Sequence, residues 1–339
     1  MMALTKSTKK IIQFTLLFAL GFLLVWLVTK QVTGKKDEII NAFKSANYFW
    51  IGVACIMSIL SHVIRAQRWN NLLNPMGYHS KWYNTNGAIF IGYFANYGIP
   101  RSGELSRCTI VAKYDNVPFE KALGTVITER IIDFILLIII FIISLIVQFK
   151  ELIGLSNQYI FFPLMEKINA FKKNQLLFWI CVLFVVASIL ILYLKRKKIN
   201  KLLKGKFGTI LKGFKDGLIS VKEVKNKIVF ISTSIAIWLM YFLTQYVTFF
   251  AFEGTASLGF SECLVMLLFG TFGVIFTPGG LGAYQAILTG ILLYYKIDDV
   301  TAFAYPWLLW VVQLIVVALI GSVSLIALPF LNKTADGSK

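Results

Sequence analysis

The apolar positions of this chain do not recur at helical or strand spacing over short amphipathic stretches; they run on without interruption. About 20 consecutive apolar residues are needed to cross a bilayer as a helix. Residues 11–29, 48–66, 124–148, 176–194 and 228–252 each supply such a run, as does 302–328 despite Pro306 near its start. Lys6, Lys9 and Lys10 precede the first run as they would in a signal peptide, but the run is long and no small-x-small cleavage site follows. It reads as a retained helix. Two further stretches are apolar but broken, 84–113 at Gly98-Ile99-Pro100 and 262–295 at Pro278-Gly279-Gly280. Each half is too short to cross and long enough to dip in and return. The pattern predicts an all-α polytopic membrane protein with six full spans and two re-entrant helical hairpins.

Basic residues orient the set. Lysines and Arg196 crowd the segment 195–227, opposed only by Asp216 and Glu223, so that loop is expected inside the cell. Working outward puts both termini and the loop after Arg65 and Arg68 inside, and 149–175 outside. A repeat then emerges. The order helix 48–66, broken pair 84–113, helix 124–148 recurs as helix 228–252, broken pair 262–295, helix 302–328. The first unit starts outside and the second inside, an inverted repeat of the kind that places a carrier's binding site between its halves. The alternative, two Pro/Gly-kinked full crossings, changes the parity and puts charged loops on the wrong side. One membrane domain covers 1–339. It comprises an N-terminal helix and external loop (1–47), repeat one (48–148), a connecting region with a span and a basic helix (149–227), and repeat two (228–330).

Composition narrows the function. Of 339 residues 58% are hydrophobic and only 15% charged, against roughly a quarter charged in soluble domains. The formal charge of +18 does not point to nucleic acid, because the basic residues flank apolar runs rather than form a module of their own. Within 195–227, Ile199, Leu203, Phe207, Ile210, Phe214, Leu218 and Val221 recur every three to four residues. They predict an amphipathic helix on the anionic inner leaflet; a plain solvated linker is the other reading. Cys55, Cys108, Cys181 and Cys263 form no metal or disulfide pattern, and His62 and His79 are not spaced as a metal pair. No metalloprotease, nucleophile-elbow or phosphate-loop motif occurs. The expectation is a non-enzyme with no cofactor.

Candidate chemistry gathers at the breaks. Non-helical backbone survives inside a membrane only where protein or water covers it, so two breaks entering from opposite faces predict a wet, protein-lined region between them. Arg65 and Arg68 end the leading helix, with His62 one turn earlier; Asn96, Pro100, Arg101, Gly103, Glu104 and Arg107 surround the first break; Glu129, Arg130 and Asp133 lie on the next long helix. Arg101, Glu104 and Arg107 share a helix face by spacing, and Arg130 can bridge to either carboxylate beside it. Intramembrane charges face a bundle interior or a cavity, although some of these could be interfacial or purely structural pairs. The second break is neutral: Pro278, Gly279, Gly280, Gly282, Tyr284, Gln285 and Thr289, with Thr277 before it and Tyr241, Thr244 and Gln245 on the preceding helix. Its glycines offer exposed backbone amides, or serve close helix packing. Pro100 and Pro278 each suit the first turn of a second half-helix.

With these residues in view the chain resembles the flippase-like transmembrane family that includes the membrane region of lysylphosphatidylglycerol synthases. The matching pieces are SHVIRAQRW (61–69), NYGIPRSGELSR (96–107), TERIIDF (128–134) and TPGGLGAYQ (277–285), in family order. The resemblance implies paired re-entrant helices and movement of lipids between leaflets. It also implies functional positions at Arg65, Arg68, Asn96, Pro100, Gly103, Glu104, Arg107, Glu129, Arg130, Asp133, Pro278, Gly279 and Gly282. Where the family often carries an acid this chain has Gln285. The family's lipid-aminoacylating members use an appended cytosolic domain, so this chain is not expected to be a synthase. The expected function is translocation of an anionic or zwitterionic lipid head, from a phospholipid or a polyprenyl-phosphate-linked glycan, across the cell membrane. Transport of a soluble solute and an accessory role in lipid or envelope synthesis stay open, as does self-association.

Overall fold

The structure is a computed structural model that describes residues 19–30, 32–99, 102–158, 162, 165, 224 and 226–332. The expected span 176–194, nearly all of the basic segment 195–227, and Pro100 and Arg101 lie outside those residues. Among the described residues all regular structure is helical. The helices are α1 (Ala19–Lys30), α2 (Lys36–Ser45), α3 (Tyr48–Leu73), α4 (Trp82–Gly98), α5 (Ser102–Asp115), α6 (Phe119–Val147), α7 (Phe149–Ser156), α8 (Lys227–Phe249), α9 (Phe260–Phe276), α10 (Ala283–Tyr294) and α11 (Asp299–Asn332). Among the described residues four helices are long and apolar enough to cross a membrane: α3 with the turn after it, α6, α8 and α11. On α6 the apolar side chains point outward, Phe134 at 54% and Ile146 at 77% exposure, as lipid-facing residues do.

Residues 36–45, read as part of an external loop, form α2, with Asp37 and Glu38 in its first turn and Lys44 in its last. That charge order complements the helix dipole, and Phe43 docks edge-on against Phe252.

Both breaks use one device. A residue preceding proline is driven out of the helical region by the proline ring. Ile99, before Pro100, is extended at φ −131°, ψ 113°, and Thr277, before Pro278, is extended at φ −127°, ψ 154°. The chain then doubles back. Ser102 donates to the Ala95 carbonyl at 3.0 Å and the Gly103 amide donates to Asn96 Oδ1 at 2.8 Å, while at the far end Asn84 donates to Asp115 at 2.7 Å. Thus α4 and α5 lie antiparallel, closed at both ends. A Cβ on Gly103 would run into the Gly92 carbonyl oxygen, so the two backbones touch. The second pair behaves alike: a Cβ on Gly273 would stand 2.8 Å from the Tyr284 Cα, and one on Gly270 3.0 Å from the Tyr284 ring. The turn between α9 and α10 needs left-handed backbone at Gly279, Gly280 and Gly282 (φ 59°, 78° and 79°), which glycine adopts without a steric penalty.

Contacts between helix ends show how the pieces face. The Asn47 amide at the start of α3 donates to the Ala251 carbonyl just past α8 at 2.8 Å, so α3 and α8 are antiparallel neighbours. The base of the α4–α5 pair lies at the end of α3 and meets the end of α11, where Asn332 donates to Asn84 at 2.8 Å. The base of the α9–α10 pair lies at the opposite end, where Gln148 at the end of α6 reaches Glu262 at 3.5 Å. The two turns meet in between: the Tyr97 ring lies against Gly279, and Trp310 donates to the Gly279 carbonyl at 2.8 Å. One apolar core, around Trp69, Ile89, Val111 and Val126, joins α3 to α6. A larger one, around Phe242, Met266, Leu288 and Tyr305, joins α8 to α11.

Candidate functional site

Three helices bring charge to one place, and a fourth adds hydroxyls. Arg65 and Arg68 sit about 12 and 7 Å from the C-terminal end of α3, and Glu129 and Asp133 about 15 and 21 Å into α6, at roughly 1.5 Å per residue. Arg107 comes from α5 and Tyr241 and Ser234 from α8. Arg65 donates to Asp133 at 2.9 Å and to the Tyr241 hydroxyl at 2.9 Å. Arg68 donates to Asp133 at 2.7 Å and to Glu129 at 3.3 Å, with Ser234 at 3.4 Å. Arg107 pairs with the other oxygen of Glu129 and stacks over the Trp69 ring, whose indole donates to Thr125 at 2.8 Å. Every charged member is buried: Arg65 2%, Arg68 0%, Arg107 3%, Glu129 0% and Asp133 9% exposed.

Two quantities decide what this cluster can do. Three guanidinium cations face two carboxylates, a surplus of one positive charge inside the protein. Arg65 Nε, Arg68 Nη2 and Arg107 Nε are buried donors without a partner. Leaving buried charge uncompensated costs several kcal/mol, so the surplus cation and its three unpartnered donors are the unbalanced feature of this cluster. Guanidinium forks bind phosphate and carboxylate bidentately.

A second pair flanks the first. Arg130 donates to Glu104 at 3.0 Å and approaches Asp133 at 3.9 Å, its side chain 45% exposed. This pair borders a cleft of about 410 Å³ between α5 and α6, walled by Leu123, Val126, Ile127, Ile131 and Phe134.

Several sequence expectations change here. Glu104 and Arg107 both reach α6 but take different partners, Glu104 pairing with Arg130 and Arg107 with Glu129. Arg130 reaches Asp133 and not Glu129. At the second break the Gly280 and Gly282 amides are not free donors. The Gly280 amide donates to Thr277, the Gly282 amide to Gln285 at 2.7 Å, and a Cβ on Gly282 would strike the Gly21 carbonyl of α1. Pro278 opens a single helical turn, Pro278–Gly280, and α10 starts later at Ala283. The two breaks touch through Tyr97 rather than stand across an open slot. Asn96 and Gly103 hold the first turn closed. Pro278, Gly279, Gly280, Gly282 and Gln285 belong to the second turn, apart from the charges. His62, read beside the arginines, packs at a tilt against Tyr93 with ring centroids 4.5 Å apart.

Tyr93, Trp69 and Ser234 were missed. Trp69 closes the SHVIRAQRW piece, but nothing in the sequence marks its role or that of Tyr93 and Ser234, since aromatic and hydroxyl residues are ordinary in apolar helices. Their role comes from the arginine each one meets: Arg65 lies 5.8 Å from the Tyr93 ring centre, Arg107 lies over Trp69 and Arg68 beside Ser234.

The profile of the lysylphosphatidylglycerol synthase TM region matches residues 12–321. The chain belongs to that family. It is thus the membrane region of a known family of multi-pass membrane proteins, and the charged cluster lies within the matched residues. Among curated relatives, the UPF0104 membrane protein MJ1595 of Methanocaldococcus jannaschii is 28% identical over 127 residues, 37% of this chain and 37% of that protein. Glycosyltransferase AglD of Haloferax volcanii is 28% identical over 116 residues, 33% of this chain and 19% of that protein. These matches therefore span well under half the length of either relative. No solved structure matches the chain significantly.

Proposed function

We propose that this member of the lysylphosphatidylglycerol synthase TM family is a lipid translocase that moves a phosphate-bearing head group between leaflets. The surplus positive charge of the Arg65–Arg68–Arg107 cluster, with an unspent N–H on each guanidinium, carries this reading. A phosphate entering the cluster takes those N–H groups and neutralises the excess charge. Glu129 and Asp133 meanwhile keep the arginines in place between passages. The tails stay in lipid, so only the head needs a polar path.

The fold supports the reading through a second proposal, that the units α3–α6 and α8–α11 are an inverted repeat. Each is a long helix, an antiparallel pair and another long helix, and the leading helices run antiparallel. The two pairs are then re-entrant hairpins entering from opposite faces and meeting at Tyr97 and Gly279. In this scheme the base of α4–α5, both termini and the lysine-rich 195–227 segment lie on the cytoplasmic side of the cell membrane. There the basic segment rests on anionic lipid. The translocase carries out no covalent chemistry. The relative named a glycosyltransferase keeps a phosphate-linked glycan, beside a phospholipid, among the candidate heads.

The test is a head-group transfer assay in reconstituted vesicles with a fluorescent phospholipid and a membrane-impermeant quencher. The protein should expose inner-leaflet label to the quencher, and Arg107→Met should not. Equal rates in both would refute the assignment of the cluster.

A further inference from the structure

We propose that the cleft between α5 and α6 seats one acyl chain of a glycerophospholipid and presents its phosphate to Arg130, in competition with Glu104. The inference rests on the translocase reading for its purpose and on the cleft itself for its chemistry.

The wall is a single face of α6. Leu123, Ile127, Ile131 and Phe134 follow one another at three- and four-residue spacing and line the cavity of about 410 Å³, within the size range of small-molecule sites. From Leu123 to Phe134 the stripe is about 16 Å long at ~1.5 Å per residue. Arg130 stands about 10 Å along it at ~1.5 Å per residue, between Ile127 and Ile131, so a lipid whose phosphate meets Arg130 lays the first carbons of its chain on Ile131 and Phe134. Ile127 and Phe134 are 47% and 54% exposed, so the cleft opens sideways toward lipid.

Two polar observations choose the occupant. Arg130 is an exposed cation in an otherwise apolar wall, an expensive position in hydrocarbon unless an anion meets it. Its partner is half used: Glu104 Oε1 accepts from Arg130 at 3.0 Å, while Glu104 Oε2 is buried without a partner. A second apolar helix filling the cleft would give the other arm of Arg130, 3.9 Å from Asp133, no acceptor of its own. A lipid brings hydrocarbon for the wall and a phosphate for the guanidinium. Arg130 also points the way inward, because its other arm lies 3.9 Å from Asp133, the carboxylate that holds Arg65 and Arg68. A phosphate that takes Arg130 from Glu104 loosens α5 from α6 and stands at the entrance to the buried cluster.

Photo-crosslinking tests this at equilibrium, without transport. The full chain in phosphatidylcholine nanodiscs is doped with a phosphatidylglycerol bearing a diazirine midway along one chain, and adducts are mapped by mass spectrometry. Adducts should concentrate on residues 119–134. Ile127→Trp, which fills the cleft, and Arg130→Gln should each lower their yield about tenfold, equivalent to ~1.4 kcal/mol of binding. Glu104→Gln should raise the yield, a gain that a misfolded protein cannot produce. Excess inorganic phosphate should leave it unchanged. Uniform labelling of the outward faces, indifference to Arg130→Gln and Glu104→Gln, or displacement by inorganic phosphate would each overturn the proposal. Selective labelling with no head-group transfer would leave the cleft standing and sink the translocase. Transfer with uniform labelling would do the reverse.

Discussion

Glu129 holds two arginines at once, Arg68 through one oxygen and Arg107 through the other. Neutralising it leaves three buried cations against Asp133 alone. Breaking a buried pair by removing one partner costs about 3–5 kcal/mol, so Glu129→Gln should lower the thermal midpoint of the detergent-solubilised protein sharply. Arg107→Met should cost clearly less, because it leaves two cations against two carboxylates; an equal or larger loss would contradict the surplus-charge account. The members of this cluster were legible in the sequence because charges in apolar helices are rare. Their pairings were not. Arg65 and Asp133 are 68 residues apart, and which acid meets which arginine depends on the rotation of α3 against α6, which no local pattern encodes. The glycines of the second break show the same limit: an exposed amide and a close backbone contact demand the same residue.

At the scale of the elements, two prolines and a handful of short contacts make the paired helices. The breaks were visible in the sequence, since proline after an apolar half-helix forces extended backbone on the residue before it. What closes each pair was not visible. A Cβ on Gly103 meets the Gly92 carbonyl and the Asn96 side chain that accepts from the Gly103 amide. Gly103→Val should therefore splay α5 from α4 at an overpacking cost of about 1–3 kcal/mol, read as a lower thermal midpoint. Gly98→Ala, where a Cβ meets nothing within 4 Å, should show no such drop. At the junction of the two turns, Trp310→Phe removes the donor to the Gly279 carbonyl. Leaving that carbonyl unpaired should cost about 1–3 kcal/mol; an unchanged midpoint would mean the turns are held together some other way. The helix α2 escaped the sequence reading because ten residues with balanced charge resemble a loop until Phe43 finds Phe252.

At the scale of the molecule, the account stands on two hairpins that enter from opposite faces and meet. All the end-to-end contacts agree with it: Asn47 with Ala251, Asn84 with Asn332, Gln148 with Glu262. The alternation of long spans and broken pairs was legible from hydropathy alone, because bilayer thickness fixes how many residues cross. The meeting of the turns was not, since it depends on Tyr97 and Trp310 filling the space a slot was expected to occupy. His79 lies between α3 and α4 and Ser257 between α8 and α9, both exposed. Single cysteines, His79→Cys and Ser257→Cys, in a background lacking the four native cysteines, can be probed with a membrane-impermeant thiol reagent in sealed vesicles of known orientation. The account predicts that each position reacts from one side only and that the two react from opposite sides; labelling of both from the same side would contradict it.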